Sequence, residues 1–65
     1  SPAAYLQELR LAEAKRLLEE TILPVWKISQ RLGYRNSNYF TLFFRRRTGA
    51  TPLAWRGNSK REGER

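Results

Sequence analysis

The chain has 65 residues with no cysteine and no histidine, and its thirteen Lys and Arg against six Asp and Glu give a net charge of +7. This length allows one domain or part of one, and such a domain is only marginally stable alone. The missing residue types exclude disulfides, metal sites built on thiolate or imidazole, and catalysis by a Cys or His nucleophile. The positive charge, most of it on arginine, favours a polyanionic partner such as nucleic acid, although solubility alone is an alternative explanation.

The sequence offers neither a membrane segment nor a catalytic constellation. No apolar stretch approaches the roughly 18 residues that a membrane-spanning helix needs, and the N-terminus lacks the pattern of a secretory signal. The scattered carboxylates and hydroxyls include no glycine-rich phosphate loop. We therefore expect a cytoplasmic protein that is not an enzyme, has no cofactor and does not contact a membrane.

The first predicted helix spans residues 2 to 20 and begins with Ser1 as a cap and Pro2 at its first position. Residues 3 to 20 contain no glycine, proline or β-branched residue. At about 100° per residue, one broad face collects apolar residues that we expect to pack on the rest of the domain. They are Ala3, Ala4, Leu6, Leu11, Ala14, Leu17 and Leu18.

A second apolar strip lies on the far side of this helix and consists of Tyr5, Leu9 and Ala12. A domain of this size has no means of covering both sides of one helix. The strip therefore predicts contact with a preceding part of a longer protein. The alternative is that these are ordinary exposed apolar residues.

A brace helix is predicted from about residue 24 to 32, and a recognition helix from about 37 to 48. Pro24 begins the first of these, and Val25, Ile28 and Leu32 give it helical spacing. Gly33 suits the left-handed conformation that ends a helix, and Asn36 can cap the next one. Two short helices joined by a turn that contains glycine are typical of a helix-turn-helix motif.

The recognition helix has an aromatic side and a polar side. Phe40, Phe43 and Phe44 share the side that we assign to the core. The predicted base-facing residues are Ser37, Asn38, Thr41 and Leu42, because short polar side chains read base edges in the major groove. Capping of the helix is the alternative role for Ser37 and Asn38.

Basic and polar residues around this helix are the predicted contacts to DNA phosphates, which position a protein without reading sequence. These residues are Arg35, Asn36, Arg45, Arg46, Arg10 and Lys27. For the arginines at positions 45 to 47, a solvated helix end is the alternative, since positive charge is favoured there by the helix dipole.

The C-terminal part predicts a short helix and a tail. Gly49 ends the recognition helix, and Thr51-Pro52 begins a helix over about 52 to 56. Residues 58 to 65 contain no apolar side chain and predict a disordered basic tail. The predicted fold is an all-α, homeodomain-like helix-turn-helix bundle of three main helices plus a short fourth, with residues 1 to 57 as the DNA-binding subdomain.

Residues from Pro2 to Arg56 also carry a longer pattern in their order and spacing. Its positions are Pro2, Tyr5-Leu6, Arg10-Leu11, Ala14, Leu17-Leu18, Ile28, Gly33-Tyr34, Ser37, Tyr39-Phe40, Phe44, Gly49, Thr51-Pro52 and Arg56. In this pattern the chain resembles the C-terminal part of the AraC/XylS family of bacterial transcription regulators.

The resemblance implies two helix-turn-helix units joined by a linker helix, with recognition helices in successive major grooves. This chain would supply the linker helix and the second unit, and its parent would supply the first unit and an effector domain. Double-stranded DNA is the implied partner, with RNA polymerase as a further one. The alternative is a protein-interaction module that contacts RNA polymerase or another acidic partner. Many members have arginine at the position of Leu42, so the polar contact implied there is absent from this chain.

Overall fold

The computed structural model describes residues 1–63, and this part of the chain contains four helices joined by short turns. They are α1 (Pro2–Glu20), α2 (Val25–Arg31), α3 (Ser37–Thr48) and α4 (Pro52–Gly63). No strand occurs within these residues, and the predicted all-α class is confirmed. None of the four helices combines the length and the apolar character that crossing a bilayer requires.

Local signals set the helix ends. The Ser1 hydroxyl accepts a hydrogen bond from the backbone N–H of Ala4 at 3.3 Å, and proline follows at the first helical position. Gly33 and Gly49 follow α2 and α3 with φ of 93° and 84°. Side chains with a Cβ rarely adopt this left-handed conformation, so glycine ends both helices without strain.

The core joins all four helices around two phenylalanines of α3. Its buried apolar residues are Leu11, Ala14, Leu17 and Leu18 of α1, Ile28 of α2, and Phe40 and Phe44 of α3. The rings of Phe40 and Phe44 lie 6.0 Å apart, and Trp55 of α4 meets Phe44 edge-on at 5.6 Å. This packing fixes the aromatic side of α3 against the rest of the molecule.

The N-terminal half of α1 projects beyond this core. Its 19 residues make a helix about 28 Å long, whereas the two shorter dimensions of the molecule are 22 and 18 Å. The prediction that Ala3, Ala4 and Leu6 pack with the core residues of α1 is therefore wrong. All three are exposed. The other helices are shorter than α1, so the core that they form buries α1 only from Leu11 to Leu18. Large apolar side chains remain open to solvent on this half: Tyr5, Leu6 and Leu9, at 65%, 52% and 48% exposure.

The predicted disordered tail is also corrected, because α4 continues to Gly63 rather than ending near Arg56. Once the first turn of a helix is held, each further residue adds a backbone hydrogen bond without needing an apolar face. Lys, Arg and Glu are good helix formers, so residues 60 to 62 extend it readily. Residues 64 and 65 of the predicted tail lie outside the described residues.

α4 holds the C-terminal end of α1, where helix carbonyls have no partner of their own. The Arg56 Nε donates to the Leu18 carbonyl at 3.1 Å, and its guanidinium also reaches the carbonyl of Thr21 at 3.3 Å. The Trp55 indole N–H donates to Glu19 at 2.9 Å. These contacts satisfy the helix end and place positive charge at the negative end of its dipole.

We expect Arg56→Ala to lower the free energy of unfolding by about 1 to 2 kcal/mol, because it leaves several carbonyls without a charged donor. Thermal unfolding followed by circular dichroism measures this as a decrease in Tm of roughly 5 to 15 °C for so small a domain. Arg16→Ala is the control, since Arg16 is exposed and forms an ion pair with Glu13, one turn away. Equal decreases in Tm for both variants would contradict the proposed role of Arg56.

Ser29 buries a polar atom in an unfavourable way. The residue is 1% exposed, and its hydroxyl has no hydrogen-bond partner among the described residues. We expect Ser29→Ala to raise the free energy of unfolding by about 1 kcal/mol, because the buried hydroxyl lacks a bond that offsets its lost hydration. Urea unfolding measures the change. Ser59→Ala, at a half-buried site on α4, is the control and should change the free energy of unfolding by less than about 0.5 kcal/mol. Loss of stability in Ser29→Ala would show that its hydroxyl is satisfied.

Candidate nucleic-acid interface

The surface with functional potential is the side of α3 that points away from the core. Phe40 and Phe44 are fully buried, and the opposite side carries exposed residues over three turns. We call this the α3 outer face, formed by Asn38, Tyr39, Leu42, Arg45 and Arg46. Leu42 lies near its middle and is 45% exposed.

The structure divides the four predicted base-facing residues into two pairs. Asn38 and Leu42 lie on the α3 outer face, whereas Ser37 and Thr41 are half-buried at its border. Tyr39 is 68% exposed, although sequence analysis named it only as a family position. The helical phase gives the missing signal, since Tyr39 lies about 60° around the helix from Leu42.

The N-terminus of α3 is capped by Asn36. Its side-chain oxygen accepts a hydrogen bond from the backbone N–H of Asn38 at 2.8 Å, as the sequence predicted. The cap therefore uses the side chain of Asn36, one of the predicted phosphate contacts. The Asn38 side chain does not act as the cap and is exposed in the first turn of α3.

The turn between α2 and α3 is held by backbone bonds and by Tyr34. The backbone N–H of Tyr34 donates to the Ser29 carbonyl at 3.0 Å. Its ring packs 5.6 Å from Phe40 and 6.1 Å from Phe43. The guanidinium of Arg10, on α1, lies over the Tyr34 ring at 6.0 Å from its centre. These contacts fix the angle at which α3 leaves the turn.

The remaining predicted phosphate contacts lie at separate places around this unit. Arg35 is exposed in the turn and follows Tyr34, whose ring Arg10 approaches. Lys27 lies on α2 and is half-buried, with its ammonium group 5.7 Å from the Trp26 ring. Arg10 thus reaches the turn from α1, Arg35 belongs to the turn, and Lys27 lies on α2.

The three consecutive arginines at the end of α3 have different surroundings. Arg45 and Arg46 are exposed on the α3 outer face. Arg47 forms an ion pair with Glu8 of α1, and its guanidinium lies 5.8 Å from the Phe43 ring. Arg47 therefore connects α3 to α1 and is turned away from the outer face.

Charge is segregated along the chain. Residues 21–60 contain eight Lys or Arg and no Asp or Glu, while the acidic residues lie at positions 8, 13, 19, 20, 62 and 64. The segment without acids includes all of α2 and α3. Its uniform sign creates a positive potential around the α3 outer face, which attracts polyanions. This segregation is visible in the sequence and is a stronger signal than the net charge alone.

Comparison with known proteins gives a consistent family assignment. A family model described as a helix-turn-helix domain matches residues 1–58. The HTH-type transcriptional activator RhaR of Enterobacter sp. (strain 638) is 42% identical over 57 residues, covering 88% of this chain and 20% of that protein. RhaR of Cronobacter sakazakii (strain ATCC BAA-894) is 44% identical over 52 residues, covering 80% of this chain and 18% of that protein. The chain spans about a fifth of the length of these curated relatives. No solved structure matches the chain.

The family match extends from the start of α1 into α4, so it includes the helix-turn-helix pair and both helices that support it. The RhaR relatives align over most of the same region. The predicted resemblance is thereby confirmed. The chain belongs to the AraC-type helix-turn-helix family, a family of DNA-binding transcription regulators.

Proposed function

We propose that the chain binds duplex DNA sequence-specifically, with α3 lying in the major groove. The observation that carries this proposal is the exposure of the α3 outer face opposite the buried Phe40 and Phe44. The 12 residues of α3 make a rod about 18 Å long, and the major groove, about 12 Å wide, accepts one helix. α2 supports it from behind, in the manner of a helix-turn-helix pair.

Base readout is assigned to the first two turns of α3. Asn38 is exposed and has the amide geometry for a bidentate pair with adenine. Ser37 and Thr41 supply hydroxyls from the border of the outer face. Leu42 contacts a thymine methyl group, since an aliphatic side chain offers no hydrogen bond to a base edge.

Phosphate contacts surround this readout and fix the position of α3 in the groove. Arg45 and Arg46, in the last turn of α3, contact phosphates of one DNA strand. The other members of this set are Arg10, Lys27, Arg35 and the amide of Asn36. Their attraction to DNA depends on the release of counterions and therefore on salt.

The exposed half of α1 supports a further part of the proposal. Tyr5, Leu6 and Leu9 form an apolar surface, and the chain spans only about a fifth of its relatives. We assign this surface to the first helix-turn-helix unit of a longer parent protein, as the family resemblance implies. The parent would also carry an effector domain and act in the bacterial cytoplasm. We assign it the role of an activator, the role that the RhaR relatives' name states. RNA polymerase is its further proposed partner, and catalysis has no part in this function.

An NMR titration of the labelled chain with a mixed-sequence duplex of about 16 base pairs tests the proposal. We expect shifts at Asn38, Thr41 and Arg45, with a dissociation constant of about 10⁻⁴ to 10⁻⁶ M, as for non-specific binding. Shifts confined to residues 58–65 would overturn it. If an acidic RNA polymerase domain shifts α3 while DNA does not, the protein-interaction alternative is correct.

Charge variants separate phosphate contacts on α3 from general attraction. We expect Arg45→Gln to weaken binding to all sequences and to reduce the log–log salt slope by about 0.9, the value for one phosphate contact. Fluorescence anisotropy at several salt concentrations measures the slope. Arg16→Gln removes the same charge from α1, where Arg16 pairs with Glu13, and should leave the slope unchanged. Equal slopes in these two variants would exclude a phosphate contact by Arg45.

A substitution at Leu42 tests the proposal by an expected increase in affinity for DNA. We expect Leu42→Arg to tighten binding and to steepen the salt slope by about 0.9, because the new guanidinium reaches guanine or phosphate from the middle of the outer face. The same anisotropy titration measures both effects. Leu53→Arg adds the same charge at another exposed leucine, on α4, and serves as control. Equal gains in both variants would mean that the gain reflects net charge and not position in the groove.

A further inference from the structure

The α3 outer face is divided lengthwise into a polar strip and an apolar strip. Asn38 and Arg45 point in nearly the same direction from the helix axis, whereas Tyr39 lies about 100° around the helix from Asn38. Tyr39 and Leu42 are three residues apart, so their side chains are neighbours on the helix surface. They are 68% and 45% exposed. We call these two residues the Tyr39–Leu42 strip.

Core packing does not account for the Tyr39–Leu42 strip. Phe40 and Phe44 are buried and Phe43 is half-buried, so Tyr39 is the one aromatic residue of α3 that is exposed. Leu42 lies on the side of α3 opposite the buried rings, where the core cannot reach it. A contiguous apolar patch with a polar rim marks an interaction site, whereas single exposed apolar residues need no explanation. The strip is therefore open to a partner.

The charges around the strip indicate the chemistry of that partner. Asn38, Arg45 and Arg46 surround it, and no acid occurs in the sequence from residue 21 to 60. An apolar strip within a positive field suits a partner that carries small apolar groups between rows of negative charge. Duplex DNA has this arrangement in its major groove, where the C5 methyl group of thymine lies among hydrogen-bonding base edges and between the two phosphate backbones.

The C5 methyl group is a ligand that two apolar side chains can distinguish from its absence. Each methyl group that leaves water against such side chains increases affinity about fourfold. The same group in the same position occurs on 5-methylcytosine, whereas uracil and cytosine lack it. Contact with this group therefore selects 5-methylpyrimidines as a class and not thymine alone.

We propose that Tyr39 and Leu42 together read the C5 methyl group of pyrimidines, so that Tyr39 is a specificity-determining residue and 5-methylcytosine can replace thymine. The inference rests on the proposed function of α3, and it adds a second apolar reader and the class of base that is recognised. Discrimination by the strip is separate from attraction by charge, because the methyl group changes neither the number of phosphates nor their positions.

Duplexes that differ only in the C5 methyl group test this inference with the chain itself. An alternating A·T duplex of about 16 base pairs and its uracil counterpart have equal charge, and the first offers a methyl group in every register. We expect fluorescence anisotropy to show about four to fifteen times tighter binding to the thymine duplex, the range for one or two buried methyl groups. An alternating G·C duplex with 5-methylcytosine should exceed its unmethylated form by a similar factor.

Variants separate contact with the methyl group from any effect of duplex shape. We expect Tyr39→Ala to lower the thymine-to-uracil affinity ratio by about twofold or more, since part of the apolar contact is removed. Tyr5→Ala removes the same side chain from α1, where Tyr5 is 65% exposed, and should leave the ratio unchanged. Leu42→Arg should also lower the ratio, although it binds both duplexes more tightly through its charge.

The outcomes distinguish failure of this inference from failure of the proposed function. Equal affinity of the unsubstituted chain for the thymine and uracil duplexes would overturn the inference. A ratio that Tyr39→Ala leaves unchanged would also overturn it, since the ratio would then reflect duplex shape. In either case, NMR shifts at Asn38 and Arg45 on addition of both duplexes would leave the proposed function standing. If neither duplex shifts a residue of α3, the proposed function fails and this inference fails with it.

Discussion

The burial of Phe40 and Phe44 is the constraint on which the rest of the structure depends, because it sets the rotation of α3 about its own axis. Full burial of each ring contributes about 1.5 to 3 kcal/mol. A rotation of one residue step would expose these rings and bring arginines of the last turn toward the core, where an unpaired charge is far more costly. The identity of the outer face is therefore decided by the core and not by the residues on that face.

The other helices serve this orientation in different ways. α1 supplies the surface on which the rings pack, α2 and its turn hold the entry angle through Tyr34, and α4 covers Phe44 with Trp55. In a chain this small such burial leaves little reserve of stability. The bonds from Arg56 to the end of α1 therefore matter more than they would in a larger domain, because they fix the helix that carries most of the core.

The four helices are predictable from the sequence because their starts and stops have local causes, such as the cap at Asn36 and the left-handed glycines. Features that depend on tertiary packing, or that leave no trace in the apolar pattern, are not predictable in this way. Helical periodicity gave α1 one long packing face, yet only the placement of the shorter helices decides that burial begins at Leu11. The extension of α4 past Gly57 depends on helix propagation, which leaves no apolar signal. The pairing of Arg47 with Glu8 joins residues 39 positions apart, so a run of three arginines could not be divided in advance.

Packing and charge act separately in this molecule. Three of the four acids of α1 are engaged within the structure, since Glu8 pairs with Arg47, Glu13 with Arg16, and Glu19 accepts from Trp55. The basic residues of α2, the turn and α3 occupy a segment without acids, so most of their field is directed outward. Salt screens that field and weakens attraction to a polyanion, but it has little effect on the apolar contacts that orient α3. The face that meets a partner is thus determined by the core, and the strength with which a polyanion is attracted is determined by the surface charges.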